Sequence, residues 1–187
     1  MTLLALLRHA DTAWSAAGRI QGRTDVSLLR DARCALPQMC KEMRIVSSPL
    51  RRCVETAALL GALRVERDAR LIEMSWGAWE GRLLSELRAE LGEAMRENEA
   101  RGWDFRPAGG ETPREVLARV RSWLAEVAAD GTPTLAVTHR GVIRAVLAHA
   151  TGWDLRGAPP IKLDWSAVQL FRLAADGTPR VEQLNVK

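Results

Sequence analysis

The apolar positions of this chain fall into two kinds of pattern. Short unbroken runs form the first: Leu3–Leu7, then Arg44–Ser48 (RIVSS), then Thr134–Thr138 (TLAVT). Runs this brief and continuous predict strands covered on both faces. Longer stretches between them carry apolar residues at helical spacing. From Pro49, Val54, Ala57, Ala58 and Gly61 recur at that spacing, and a second helix is expected from Leu83 to about Asn98. A third is signposted by GGETPREV, where Thr112 caps, Pro113 suits the first turn and Glu115 completes a capping box. Its stripe is Val116, Val120, Trp123 and Val127, stopping at Asp130-Gly131. HRGVIRAVLAHAT continues from the TLAVT strand into another helix, and VQLFRLA and PRVEQLNV flank an Asp-Gly turn as a hairpin. Strands alternating with helices predict an α/β fold with a mostly parallel sheet. No repeat, low-complexity tract or linker divides the 187 residues, so one domain over 1–187 is expected.

The histidines change the picture. His9 follows the first strand, and His139 follows the strand Thr134–Thr138. In parallel sheets ligands bind beyond the carboxyl ends of strands, so two imidazoles at equivalent ends can face one crevice. His139 also opens a helix, whose free N–H groups favour an anion. His149 lies mid-helix without such company and reads as structural. Arg8 precedes His9, and Arg51 or Arg52 starts a helix after a strand. Guanidinium groups supply the permanent charge and planar fork that suit a phosphoryl group.

Composition sets limits. The net charge is +4, with basic residues dispersed and no Lys/Arg tract, which speaks for small anionic ligands rather than nucleic acid. Three cysteines, Cys34, Cys40 and Cys53, make no disulfide framework and fit a reducing compartment. The first apolar run is too short for a signal peptide or membrane span. A cytoplasmic protein without membrane partners is expected. Oligomeric state is not legible.

Six segments in order then carry a resemblance: LLRHADTAW, GRIQGRTDVSL, SSPLRRCVETA, LIEMSWGAWEG, GGETPREV and VTHRGVIRAVL. They resemble the successive motifs of the histidine phosphatase superfamily, in which the cofactor-dependent phosphoglycerate mutases are the better-known branch. The look is nearest to the small bacterial phosphatases, a group including the α-ribazole phosphatases. The resemblance implies a three-layer α/β/α sandwich, a small phosphorylated substrate and no cofactor or metal. It makes His9 the nucleophile that becomes phosphohistidine and Glu73 the general acid. Arg8, Arg52 and His139 would hold the phosphate, Arg52 being chosen over Arg51 by the motif. Thr12, Ser15, Gln21 and Gly22 would contact substrate or line the mouth of the site, and residues 76–110 would cap it. Three departures stand out: Ala10 follows the Arg-His pair in place of Gly, Ser15 replaces a common Asn, and Arg140 replaces a frequent Gly. Arg140 either adds charge near the substrate or points to solvent.

Neighbouring arginines lower the His9 pKa and keep it nucleophilic. They would also lower that of Glu73, whereas burial would raise it. The span from Glu73 to Gly109 is short and lacks the basic and aromatic insertion of the mutases. Hydrolysis by a metal-independent phosphomonoesterase is therefore expected over phosphoglycerate mutase-type transfer, with a non-catalytic phosphate-binding module as the other alternative. A metal hydrolase using His9, Asp11 and His139 leaves Arg8 and Arg52 unexplained. Cysteine phosphatase chemistry needs Arg six residues after a cysteine, and those positions are Cys40, Val46 and Leu59. No GxxxxGK[ST] loop is present. Of the seven tryptophans, Trp76, Trp79 and Trp103 are expected mainly in packing or loop anchoring.

Overall fold

The strand β1 (Thr2–Arg8) is buried along most of its length because its two faces pack against different layers. Side chains alternate across a strand. Leu4 and Leu6 therefore join one hydrophobic cluster, whereas Ala5 and Leu7 join another. The computed structural model describes residues 1–62 and 64–187. Its sheet has the order β3-β2-β4-β1-β5-β6, from β2 (Arg44–Ser47), β3 (Glu66–Arg67), β4 (Thr134–Thr138), β5 (Val168–Leu173) and β6 (Pro179–Val186). The pairs β3–β2, β2–β4 and β4–β1 are parallel, and β1–β5 and β5–β6 are antiparallel. The hairpin expected around Asp-Gly is the β5–β6 pair.

Helices α4 (Pro113–Asp130) and α5 (Arg140–Thr151) cover one face, burying Val120, Leu124, Ile143 and Leu147 with Leu4, Leu6, Val46, Ala136 and Phe171. On the other face α2 (Arg51–Leu59) places Cys53 and Ala57 against Val137. Cys40 and Met43 close that layer over Ala5, Leu7, Leu135 and Leu170. The result is the expected three layers. The other helices are the single turn α1 (Ala13–Ala16) and α3 (Leu84–Glu99), broken at Gly92, whose φ of 51° lies outside helical space.

The capping box is as expected: Thr112 Oγ1 accepts from Glu115 N, and Glu115 Oε2 accepts from Thr112 N. Gly131, with φ 76°, ends α4. The stripe of α2 needs correction. Its buried face is Arg52, Cys53, Thr56 and Ala57, while Ala58 is exposed. Two polar positions are inside because this helix serves the site as well as the core. Among the described residues no helix is long and apolar enough to cross a membrane.

Candidate active site

The parallel strands β2, β4 and β1 are neighbours and deliver their carboxyl ends to one edge. The backbone locks them there: His9 N donates to Thr138 O at 3.0 Å, and Ser48 N donates to Val137 O at 2.9 Å. Thr138 Oγ1 donates to Leu71 O at 2.8 Å, tying the end of β4 to the segment that carries Glu73. A cavity of about 610 Å³ opens at this edge. Arg8, His9, Ser15, Gln21, Gly22, Glu73 and Arg140 line it, seven of the ten residues expected from sequence. Arg52 and His139 are fully buried beside them.

The His9 and His139 rings are 5.3 Å apart between centroids. His9 is 4% exposed, and its Nδ1 lies 2.8 Å from Ala10 O. A carbonyl only accepts, so Nδ1 carries the hydrogen and Nε2 keeps its lone pair. Burial first, then the Arg8 and Arg52 charges, lower the His9 pKa to about 3. The imidazole is therefore neutral at working pH. His139 is likewise pushed well below 6.5, by burial and then Arg52. Its Nε2 meets Ser48 Oγ at 2.7 Å and Cys53 Sγ at 3.3 Å.

Arg52 donates from Nη1 to Thr24 O (2.8 Å) and from Nη2 to Gly22 O (2.6 Å). Its Nε, like that of Arg8, is buried with no acceptor among the described residues. Buried guanidinium donors without partners cost free energy unless an anion accepts from them. Arg51, by contrast, is exposed and pairs with Glu55. Thr56 Oγ1 accepts from Ala10 N and donates to Arg52 O, coupling the turn after His9 to the helix bearing Arg52.

Glu80 organises the loop that Arg52 grips. Its carboxylate accepts from the backbone N–H groups of Arg23, Thr24 and Trp76. Gly22 is required at the closest approach: its φ is 52°, and an added Cβ would lie 2.0 Å from Glu80 Oε1. Thr12 does not line the cavity. It is buried, caps α1 through Ser15 N, and donates to Gln21 Oε1 at 2.9 Å. Ser15 Oγ donates to Asp11 Oδ1 and accepts from Thr12 N. Both hold the loop carrying Gln21.

Glu73 is 8% exposed. Its Oε1 accepts from Met74 N at 2.8 Å and Gly141 N at 3.0 Å, so a proton on this carboxyl resides on Oε2. The free N–H at the start of α5, expected to serve a ligand anion, thus serves Glu73 itself. Burial raises the Glu73 pKa and outweighs the lowering by these N–H groups and Arg52. The conflict between arginine field and desolvation is won by desolvation. Glu111 braces this segment by accepting from Ser75 N and from Arg119 and Arg23. Sequence reasoning missed Ser48, Thr56, Glu80 and Glu111, each inside a quoted motif; Ser48 follows β2 just as His9 follows β1, so the strand-end signal could have found it, whereas the other three sit on a helix or in loops.

Gly141 leaves no room for a side chain, since a Cβ would lie 2.4 Å from Glu73 Oε1 and 3.0 Å from Met74 Cβ. Gly141→Ala is expected to displace the carboxyl and lower kcat on alkyl phosphates by about 100-fold. Steady-state kinetics beside near-UV circular dichroism checks this, and a fully active, folded variant would refute it.

The trio of expected tryptophans packs as foreseen. Trp79 is buried with Leu87 and Met95, Trp76 meets Phe105 edge-on at 5.6 Å, and Trp103 packs near Trp153. Trp76 also lines the cavity.

Comparison with known proteins agrees with this geometry. The family "Histidine phosphatase superfamily (branch 1)" matches residues 4–187. Phosphoserine phosphatase 1 of Hydrogenobacter thermophilus is 31% identical over 168 residues, covering 83% of this chain and 79% of that protein. Glucosyl-3-phosphoglycerate phosphatase of Mycobacterium tuberculosis is 33% identical over 165 residues, covering 78% and 73%. The solved structure of a mycobacterial glucosyl-3-phosphoglycerate phosphatase superposes with a TM-score of 0.79 at 26% identity, over 100% of both chains. The chain is a phosphatase belonging to the histidine phosphatase superfamily, branch 1.

Proposed function

We propose that this phosphatase hydrolyses small phosphomonoesters without a metal, with His9 as nucleophile and Glu73 as acid and then base. The observation that carries the assignment is His9 itself, neutral and held by Ala10 O on the cavity wall, between arginines whose buried Nε–H groups lack acceptors.

In the first step Nε2 of His9 attacks phosphorus and the ester P–O bond breaks. Glu73 Oε2 gives its proton to the departing oxygen, and Arg8 and Arg52 balance charge on the phosphoryl oxygens, with neutral His139 as a polar neighbour. The Ser48 hydroxyl, 2.7 Å from His139 Nε2, fixes the orientation of this buried ring. In the second step Glu73 takes a proton from water, the hydroxide attacks phosphorus, and the N–P bond breaks. Phosphate leaves, and both groups return to their starting states.

Residues 76–110 are proposed as the cap. Trp76, Leu84, Arg88, Glu99, Gly102 and Phe105 from this segment face the cavity, where the non-phosphate part of a substrate would lie. Gln21 and Gly22 line the cavity too, the loop that carries them being joined to this segment by Gly81 N donating to Ile20 O. The free cysteines Cys34, Cys40 and Cys53 support a cytoplasmic setting.

Phosphate release from a panel of phosphomonoesters with EDTA present throughout tests the reading. Turnover that survives chelation is expected. Activity seen only after divalent metal is restored would overturn the metal-free mechanism, and binding without turnover under every condition would overturn hydrolysis.

A further inference from the structure

The outer wall of the cavity holds a pair of arginines that the chemistry above leaves unused. Arg140 and Arg144 stand one turn apart on α5 and both line the cavity. At a rise of about 1.5 Å per residue, their Cα atoms are about 6 Å apart along the axis. Like charges at this spacing repel each other. Neither side chain makes a hydrogen bond or ion pair with the described residues, and the one acid whose charge reaches Arg140 is the reacting Glu73. The other outer arginines are engaged, Arg88 by Glu99 at 2.8 Å and Arg19 by Gly81 O at 2.7 Å.

The pair is also held in place. Arg140 lies over the Trp165 ring, 4.4 Å from its centroid, and Arg144 lies 5.0 Å from the Trp153 centroid. A cation over an indole face is held in place without any of its N–H groups being taken by an oxygen acceptor. Two preset forks with nothing to bind, beside a phosphoryl site, are an anion receptor. The Arg140 charge is felt at both Arg8 and His9, so the receptor lies close to the reacting centre.

We propose that Arg140 and Arg144 form a second anion subsite, selecting phosphomonoesters that carry another negative group, a carboxylate or second phosphate, a few bonds from the scissile ester. This rests on the phosphomonoesterase reading and goes further, since it names the class of substrate. It also decides the alternatives left open for Arg140: its charge serves the ligand.

Matched substrate pairs test it. 3-Phosphoglycerate against glycerol 3-phosphate changes a carboxylate to a hydroxymethyl group; fructose 1,6-bisphosphate against fructose 6-phosphate adds a phosphate. The expected kcat/KM preference for the more anionic member is about 10- to 100-fold in at least one pair, and the pair that shows it identifies the anion. Arg140→Met and Arg144→Met keep the apolar stem on each ring, and each should cut that preference at least threefold. Because the readout is a ratio within one enzyme, a general loss of activity cancels. Calorimetric titration of the His9→Ala protein with the same pairs reads the ratio as dissociation constants, so failure of hydrolysis and failure of the subsite are separable. No preference in either pair by either method, or a preference that both Met variants retain in full, overturns the proposal.

Discussion

His9→Ala is expected to lower turnover of every phosphomonoester by about 10⁴-fold or more, while affinity for inorganic phosphate changes by less than about tenfold. The asymmetry follows from the geometry. The phosphate clamp belongs to Arg8, Arg52 and His139, whereas His9 supplies the attacking lone pair. Rapid quench with labelled substrate should trap an acid-labile, base-stable phosphoenzyme in the parent and none in the variant. A variant within tenfold of the parent, or one that still traps label, would refute nucleophilic His9. Since His9 titrates near pH 3 in the folded state, it sets no limb of the rate profile near 6.5. The same shift has a stability consequence. The unfolded chain binds a proton on His9 below pH 6.5 and the folded chain does not, so acid destabilises the parent through this group. As pH falls from 6.5 toward about 3 the parent should therefore lose stability more steeply than His9→Ala, which chemical denaturation across that range would read.

The local patterns that wrote the fold into the sequence were those with one physical cause. Unbroken runs such as TLAVT demand burial on both faces, and β4 occupies Thr134–Thr138 as expected. The Thr112–Glu115 box with Pro113 fixes where α4 begins, and Gly131 fixes where it ends. Helix α2 shows the limit. Its apolar spacing pointed to Ala58 and Gly61, yet the buried face includes Arg52 and Thr56, polar residues whose partners are loop carbonyls and Ala10 N far away in sequence. Hydrophobic periodicity cannot register a side chain buried for its hydrogen bonds. The two-residue strand β3 was equally silent, because so short an edge carries no period.

For the site, strand ends were the informative positions. His9 and His139 follow adjacent parallel strands, so topology alone brings their rings to 5.3 Å. The clamp residues came from the motif order. What escaped was the support around them. Glu80 looks like any surface acid until the loop 22–24 folds back and aims its N–H groups at the carboxylate. Arg144 lies unremarked inside HRGVIRAVLAHAT, since its meaning depends on Trp153 and on having no acidic partner among the described residues, both settled by the tertiary fold.

Glu73→Gln should separate the two halves of the reaction. On alkyl phosphates the leaving alkoxide needs a proton, and kcat is expected to fall about 10²- to 10⁴-fold. On p-nitrophenyl phosphate the leaving group departs unprotonated, so the first step is spared. Water still lacks its base, so nitrophenolate appears in a burst while phosphoenzyme accumulates. Equal losses on both substrates with no burst would remove Glu73 from proton transfer. The pH profile gives a second reading. Burial raises the Glu73 pKa, so the parent loses the acid as pH rises through that value, and the Gln variant should lack this limb. Stability moves the opposite way. Above pH 4.5 the unfolded carboxyl ionises readily and the buried one does not, which costs the parent stability as pH rises. The amide is spared that cost, so Glu73→Gln should melt higher than the parent at neutral pH, with the gain fading as pH falls toward 4.5. A carboxyl kept where it is unfavourable for folding and necessary for turnover is what a functional acid implies, whereas a merely structural Glu73 would lose stability on substitution.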